Sequence, residues 1–155
     1  VRWNLATAKP VLGINPAEKL LTNGIRGSLK YSDFEWCSWT NNDSVSFTID
    51  LLKPEVLNTL TLGCITNNGM AIHKPASVKV EVSDDNSNFR EAAMQSFTPE
   101  EIFREGNFIE NLPLKLGGTQ GRYVRVSAKG PGVCPASHVR SGQASRIFFD
   151  EVMLE

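Results

Sequence analysis

A period-two alternation of apolar and polar residues recurs along this chain in short runs. In Ser44–Leu52, Val45, Phe47, Ile49 and Leu51 point one way and Ser46, Thr48 and Asp50 the other. Ser77–Ser83 puts Val78, Val80 and Val82 on one face, and Arg122–Ala128 sets Val124 and Val126 against Tyr123, Arg125 and Ser127. Successive side chains of a β-strand face opposite sides, so this alternation predicts strands half-buried against a core. Residues 2–9, 56–65, 91–97, 108–116 and 146–154 read as further strands, about eight in all. Turn clusters at Asn41-Asn42-Asp43, Thr66–Met70 and Asp84–Asn88 separate them, and a Gly/Pro/Ser-rich loop spans residues 130–144. Phe89 is expected to plug back into the core. Helix is confined to a turn at residues 15–21, capped by Asn15 before Pro16, and a short piece over residues 99–105. The latter carries the capping-box pattern of Thr98 and Glu101. Short strands divided by turns predict an all-β fold, a β-sandwich jelly roll, with residues 1–155 forming a single domain.

The 155 residues suffice for one domain with a real core. A net charge of −1, with no basic stripe, argues against nucleic acid as a partner. No run approaches the roughly 18 apolar residues of a membrane helix. The abrupt start at Val1 suggests a fragment of a longer, exported protein. Cys37, Cys64 and Cys134 are odd in number and have no CxxC spacing, which argues against zinc. Three buried thiols are the preferred reading; one disulfide with a free thiol is the alternative.

One stretch does not fit the strand pattern. Leu20–Trp39 is long and turn-rich, yet holds Tyr31, Phe34, Trp36 and Trp39. Such aromatic content argues against disorder, and an ordered loop of this length commonly carries function. An aromatic ring covers the C–H face of a sugar, while amides, imidazoles and carboxylates bond its hydroxyls. Phe34, Trp36 and Trp39, joined by Asn67, Asn68 and His73 from the next loop, form a candidate shallow sugar site. Core packing of either Trp, and plain turn chemistry for the two asparagines, stand beside that reading. The same segment, Leu20–Ser28, can wrap a Ca²⁺ in carbonyl oxygens, with Asn23, Ser28 and Glu151 as side-chain ligands.

No enzyme signature accompanies these sites. His73 and His138 are the only histidines and lie in no HExxH or HxxxH spacing; GxSxG and phosphate-binding glycine motifs are absent. Asp84-Asp85 and Asp150-Glu151 read as turn solvation and a structural contact. The domain is expected to be non-catalytic.

Four segments carry a resemblance. Leu21-Thr22-Asn23-Gly24-Ile25-Arg26-Gly27-Ser28 followed by Trp36 resembles the "L-T-D-G-x-x-G-s … W" opening of discoidin-like, coagulation factor 5/8 type C domains. Val78–Asp85 with Phe89 resembles their "V-x-V-x-x-S-x-D-G-x-x-F" hairpin. Arg122–Val126 resembles their "R-Y-V-R-V" strand, and Ile147–Val152 their closing "l-F-x-D-E-I/V". The branch it looks closest to is the family-32 carbohydrate-binding modules, appended to exported bacterial glycoside hydrolases such as chitobiases and hexosaminidases. The resemblance implies a sandwich fold and tip loops that bind galactose- or N-acetylhexosamine-type glycans. It also implies a structural Ca²⁺ held by Asn23, Ser28 and Glu151 with carbonyls such as those of Leu20 and Arg26. Asn23 stands where the family has Asp, which removes one charge and weakens the expected affinity.

The expected partners are a glycan and a catalytic domain of the same chain; the domain itself is expected to be a monomer. The expected location is periplasmic, cell-surface or secreted, in a bacterium. The alternatives are an adhesion or lipid-binding discoidin domain, using Met70 and Ile72 as apolar tips, and a structural spacer.

Overall fold

The computed structural model describes residues 2–5, 20–39 and 44–155. The elements are β1 (Arg2–Leu5), β2 (Cys37–Trp39), β3 (Val45–Asn67), a 3-10 turn (Asn68–Met70), β4 (Ser77–Ser83), β5 (Arg90–Ser96), α1 (Pro99–Ile102), β6 (Asn107–Lys129) and β7 (Ile147–Leu154). The turn expected at Asn41-Asn42-Asp43, and most of that expected over residues 15–21, lie outside the described residues.

Four of the expected short strands are in fact two long ones. β3 and β6 run 23 residues each and pair antiparallel along their length, from Val45↔Ala128 to Asn67↔Asn107. The ladder bends where its register shifts, between Asp50 and Glu55 and again between Leu57 and Thr59. Leu52 there takes a φ of 71°, and Gly117 and Gly118 on the facing strand take 66° and 75°. Left-handed backbone of this kind, free of strain at glycine, turns the ribbon without ending it. An alternation-based reading marks the apolar runs and misses the connection across a bulge.

The bent ribbon builds both layers of a sandwich. The first half of β3 pairs with β1, and the second half of β6 pairs with β4, which pairs with β5. The second half of β3 pairs with β7, which pairs with β2. The inward residues of both halves, Val45, Phe47 and Ile49 with Leu57, Leu60 and Leu62, share one core with Val78, Val80, Val82, Leu112, Leu114, Val124, Val126 and Phe149. Cys37, Cys64 and Cys134 are buried, unpaired thiols. Burial first, then the nearby Glu35 charge, pushes the Cys37 thiol up to about 12.

Polar pairs tie the layer surfaces. Arg122 forms two hydrogen bonds to Asp50, at 2.7 and 2.9 Å. Arg125 bonds Glu81 at 2.9 Å and covers the Phe89 ring at 3.9 Å. Phe89 therefore lies half-buried on the sheet surface under a guanidinium, not in the core. The α1 capping box forms as expected, Thr98 and Glu101 exchanging hydrogen bonds, although the helix ends at Ile102. No helix among the described residues is long and apolar enough to cross a membrane.

A second apolar cluster closes the end of the sandwich that carries the long loops. Trp36, Ile65, Ile72 and Phe148 pack together there, with Tyr31 and Met70 against them. The Trp36 ring is 1% exposed. Replacing Trp36 by Ala is expected to lower the unfolding free energy by about 3–5 kcal/mol. Urea denaturation checks this, and a loss below about 1 kcal/mol would contradict core burial.

Candidate functional site

The loop Leu20–Trp39 is ordered by the last strand. Asp150 of β7 is fully buried and accepts from Arg26 Nε at 2.7 Å and from the Gly27 amide at 2.9 Å. Arg26 also bonds Asn111 at 2.8 Å. Glu151 accepts the Gly24 amide at 3.0 Å. Gly27 lies so close to Trp36 that a Cβ would meet the indole at 2.3 Å, and the indole N–H donates to the Ser28 carbonyl at 2.9 Å. Gly24, Arg26, Gly27, Ser28 and Trp36 of that opening thus fasten the loop.

The expected metal residues are partly drawn together. Asn23–Gly24 sits against Glu151, while the Arg26 side chain serves Asp150. Asn23 Oδ1 accepts from the Ile25 amide at 2.8 Å, and Ser28 Oγ from the Lys30 amide at 3.2 Å. Each of those oxygens keeps a second lone pair. Burial, and after it the charge of Asp150, pushes the Glu151 carboxyl above the ordinary range, against the pull of the Gly24 amide. A carboxylate under that strain is a fit partner for a cation.

The expected sugar residues are scattered. Trp36 and Trp39 are both buried, Trp39 against Phe149 with centroids 5.6 Å apart, so neither ring can serve as a platform. This corrects the reading of both as ligand contacts: the surrounding strands and loop bury their apolar area. Phe34 is 61% exposed in the turn after Tyr31 and is not among the residues lining the pocket at Asn68. Asn67 closes the β3–β4 turn through backbone hydrogen bonds with Ile72 at 2.9 and 3.1 Å. Ile72 is itself fully buried, which removes it as an apolar tip for a lipid surface, and Met70 is half-buried beside it.

Asn68 and His73 do meet, around a residue that the sequence reading left unused. His138, from the loop after β6, places Nε2 2.9 Å from His73 Nε2 and 2.8 Å from the Asn68 amide. The Arg140 amide donates to His138 Nδ1 at 2.8 Å, while Nε2 faces both His73 Nε2 and the Asn68 side-chain Nδ2, so both nitrogens of the His138 ring are engaged. Phe103, just past α1, stands edge-on to both rings, at 5.1 Å from His73 and 6.1 Å from His138. Arg140 Nε donates to the Gly69 carbonyl at 2.7 Å and holds the loop over the turn.

Over this cluster opens a shallow pocket of about 110 Å³, lined by Asn68, Phe103, Glu105, Pro135, Ser137, His138 and Val139. Val139 is 75% exposed at its rim. Residues 130–144 read only as a Gly/Pro/Ser loop, and Phe103 only as the end of a helix. The available signal was His138, one of just two histidines, followed by a valine in a polar loop.

Fold and site together define a discoidin-like β-sandwich with a polar, partly aromatic pocket among its end loops. The F5/8 type C domain model matches residues 10–141, and the chain belongs to that family. The family is one of non-catalytic domains. A comparison with curated proteins found no match. Among solved structures the chain is similar to the GH89 CBM32-5 module of Clostridium perfringens, in complex with GalNAc-β-1,3-galactose. That similarity has 15% identity and a TM-score of 0.62, covering 99% of this chain and 93% of that one. It is also similar to the C-terminal domain of a chitobiase from Bacteroides fragilis, at 17% identity and TM-score 0.56, covering 99% and 92%. A third likeness is the CBM32 of AlyQ with 4,5-unsaturated mannuronic acid, at 17% identity and TM-score 0.57, covering 100% and 94%.

His73 generates a pH prediction. Burial, and then the His138 charge, lower it from 6.5 to about 4. Below pH 6.5 the unfolded chain takes up a proton that the folded one refuses until about pH 4. Stability is therefore fully present above 6.5 and lost as pH falls towards 4. A melting-temperature series against pH is expected to fall across that window, and the fall is expected to shrink in His73→Asn.

Proposed function

We propose that this domain is a carbohydrate-binding module whose pocket of Asn68, Phe103, Glu105, His138 and Val139 takes a terminal sugar of galactose or N-acetylhexosamine type. The observation that carries this is the convergence of an amide, an imidazole, a carboxylate and an aromatic edge in one shallow pocket at the loop end. Amide, imidazole and carboxylate match a rim of hydroxyls, while the Phe103 edge and the Val139 side chain suit C–H groups. Glu105 is the only charged carboxylate or amine lining the pocket among the described residues, and its charge disfavours an acidic sugar. Neighbours of the same fold bound to GalNAc-containing sugars support the neutral reading; the mannuronic acid neighbour marks how far ligands vary in it.

A pocket of about 110 Å³ covers one sugar ring at most. Affinity for a single site is expected on the order of 0.1–1 mM. Such a module works by tethering: attached to a glycoside hydrolase of the same exported chain, it raises the local concentration of glycan. The loop Leu20–Ser28 is proposed to hold a structural Ca²⁺ through Glu151, Asn23, Ser28 and backbone carbonyls of Leu20 and Arg26. Bound there, the ion would neutralise the Glu151 charge.

A glycan array with the 155-residue domain tests the first proposal. Binding to terminal galactose or N-acetylhexosamine glycans is expected, weakened about tenfold or more in Asn68→Ala and His138→Ala. Silence on all glycans by a folded sample, or unchanged binding in both variants, would overturn it. For the ion, Ca²⁺ at about 100 times its Kd should raise the melting temperature by about 5–10 °C. Glu151→Gln is expected to abolish that rise, and a rise that persists would refute the assignment.

A further inference from the structure

Beneath the pocket lies a set of donors of which only His138 lines the pocket itself. Cys134, His73 and His138 come from two loops, yet one ligand atom of each lies within 4.8 Å of the other two. His73 and Cys134 are buried, 0% and 3% exposed, and His138 is half-buried at the pocket floor. We propose that these three side chains form a binding site for a borderline-soft divalent transition metal of the Zn²⁺ class.

The donor chemistry carries the argument. Two imidazoles and a thiolate suit Zn²⁺, Co²⁺ or Ni²⁺, whereas Ca²⁺ requires oxygen. No acidic side chain belongs to the group. The two Nε2 atoms face each other at 2.9 Å, close to the roughly 3.3 Å that bonds of about 2.0–2.1 Å at a tetrahedral angle require. The metal would sit between the two facing Nε2 atoms. The thiol is not locked elsewhere: Cys134 is in no disulfide, and its sulfur only meets the Ser145 hydroxyl at 3.4 Å. Three protein ligands leave a fourth position, and His138 lines the pocket, so that position is placed towards it.

Binding rearranges protons in a defined way. To ligate through Nε2, His138 must carry its proton on Nδ1, so the Arg140 amide that now faces Nδ1 has to turn away and the Asn68 side-chain amide has to leave Nε2. That amide lies in an exposed turn whose hydrogen bonds run between His138 and Ser141 and between Arg140 and Gln143. Its movement is local. His73 Nδ1 is buried without a well-formed hydrogen bond, beside the Ile102 backbone, where it can hold the proton of a ring that ligates through Nε2. The thiol proton goes to solvent, so one proton is released per metal bound. The C-x₃-H spacing of Cys134 and His138 with a distant His73 matches no common zinc signature, so the site is invisible to the cysteine spacing alone.

The test is a Co²⁺ titration of the reduced domain, without sugar, so that its result does not depend on glycan binding. One Co²⁺ per chain is expected, with tetrahedral d–d absorption and a thiolate-to-metal charge-transfer band, and Zn²⁺ should displace it. Cys134→Ser should remove the charge-transfer band, and both Cys134→Ser and His138→Gln should weaken binding by about 100-fold or more. Glu151→Gln should leave the Co²⁺ spectrum unchanged. In the unmutated protein, Zn²⁺ should protect Cys134 from alkylation, as read by peptide mass mapping, which removes any dependence on the folding of variants. No saturable Co²⁺ binding, a spectrum without a thiolate band, or Cys134 alkylated equally with and without Zn²⁺ would each overturn the proposal.

Discussion

The structure depends on one buried carboxylate. Asp150 sits fully inside the sandwich, where an unpaired charge would be costly. It is compensated by Arg26 and the Gly27 amide, both supplied by the N-terminal loop. The loop is therefore bound to β7 by the need to satisfy that charge. Gly63 of β3 adds to the constraint, since a Cβ there would meet Asp150 Oδ1 at 1.9 Å and Arg26 at 2.6 Å. Only glycine leaves space for the pair. Once the loop is tied down at Gly24 and Gly27, Trp36 is carried onto Ile65, Ile72 and Phe148, and the end of the sandwich is sealed.

That seal gives the other loops a floor. The β3–β4 turn is fixed by Asn67 and Ile72, by the His73 amide on the Arg146 carbonyl at 3.1 Å, and by the Arg146 amide on the Ala71 carbonyl at 2.9 Å. Asn68 accepts from the Gly106 amide at 3.3 Å, which links the turn to the start of β6. The loop after β6 is then laid over both, with His138 meeting Asn68 and His73. Three separate stretches of chain contribute to one small region. Its polar groups are largely bonded to one another, so they are held in position before any ligand arrives, as recognition of a weak ligand requires.

Legibility differed sharply between scaffold and site. Val45, Phe47, Ile49 and the Val78–Val82 triplet announced their faces because a strand's period is a local property. Thr98 and Glu101 announced a cap for the same reason. The quoted motifs also carried over, yet as fastenings: the Gly-Ile-Arg-Gly run, Trp36 and the Asp-Glu pair hold the loop. Trp36 and Trp39 were the most conspicuous aromatics and proved to be core, because residue type alone does not tell which side of a loop faces inward. Phe103 and His138 were inconspicuous and line the pocket.

By itself the sequence determined the all-β class, the inward faces of the strands, the turn chemistry and the family motifs, since each follows from spacing within a few residues. Only the tertiary structure decided that two pairs of strands are continuous, because a left-handed residue at Leu52 and paired glycines bend a ladder that local periodicity reads as broken. It alone decided burial of the tryptophans and the meeting of His73, Cys134 and His138. Contacts between residues 65 apart in the chain, as His73 and His138 are, depend on how the loops close over the sandwich, which no local pattern encodes.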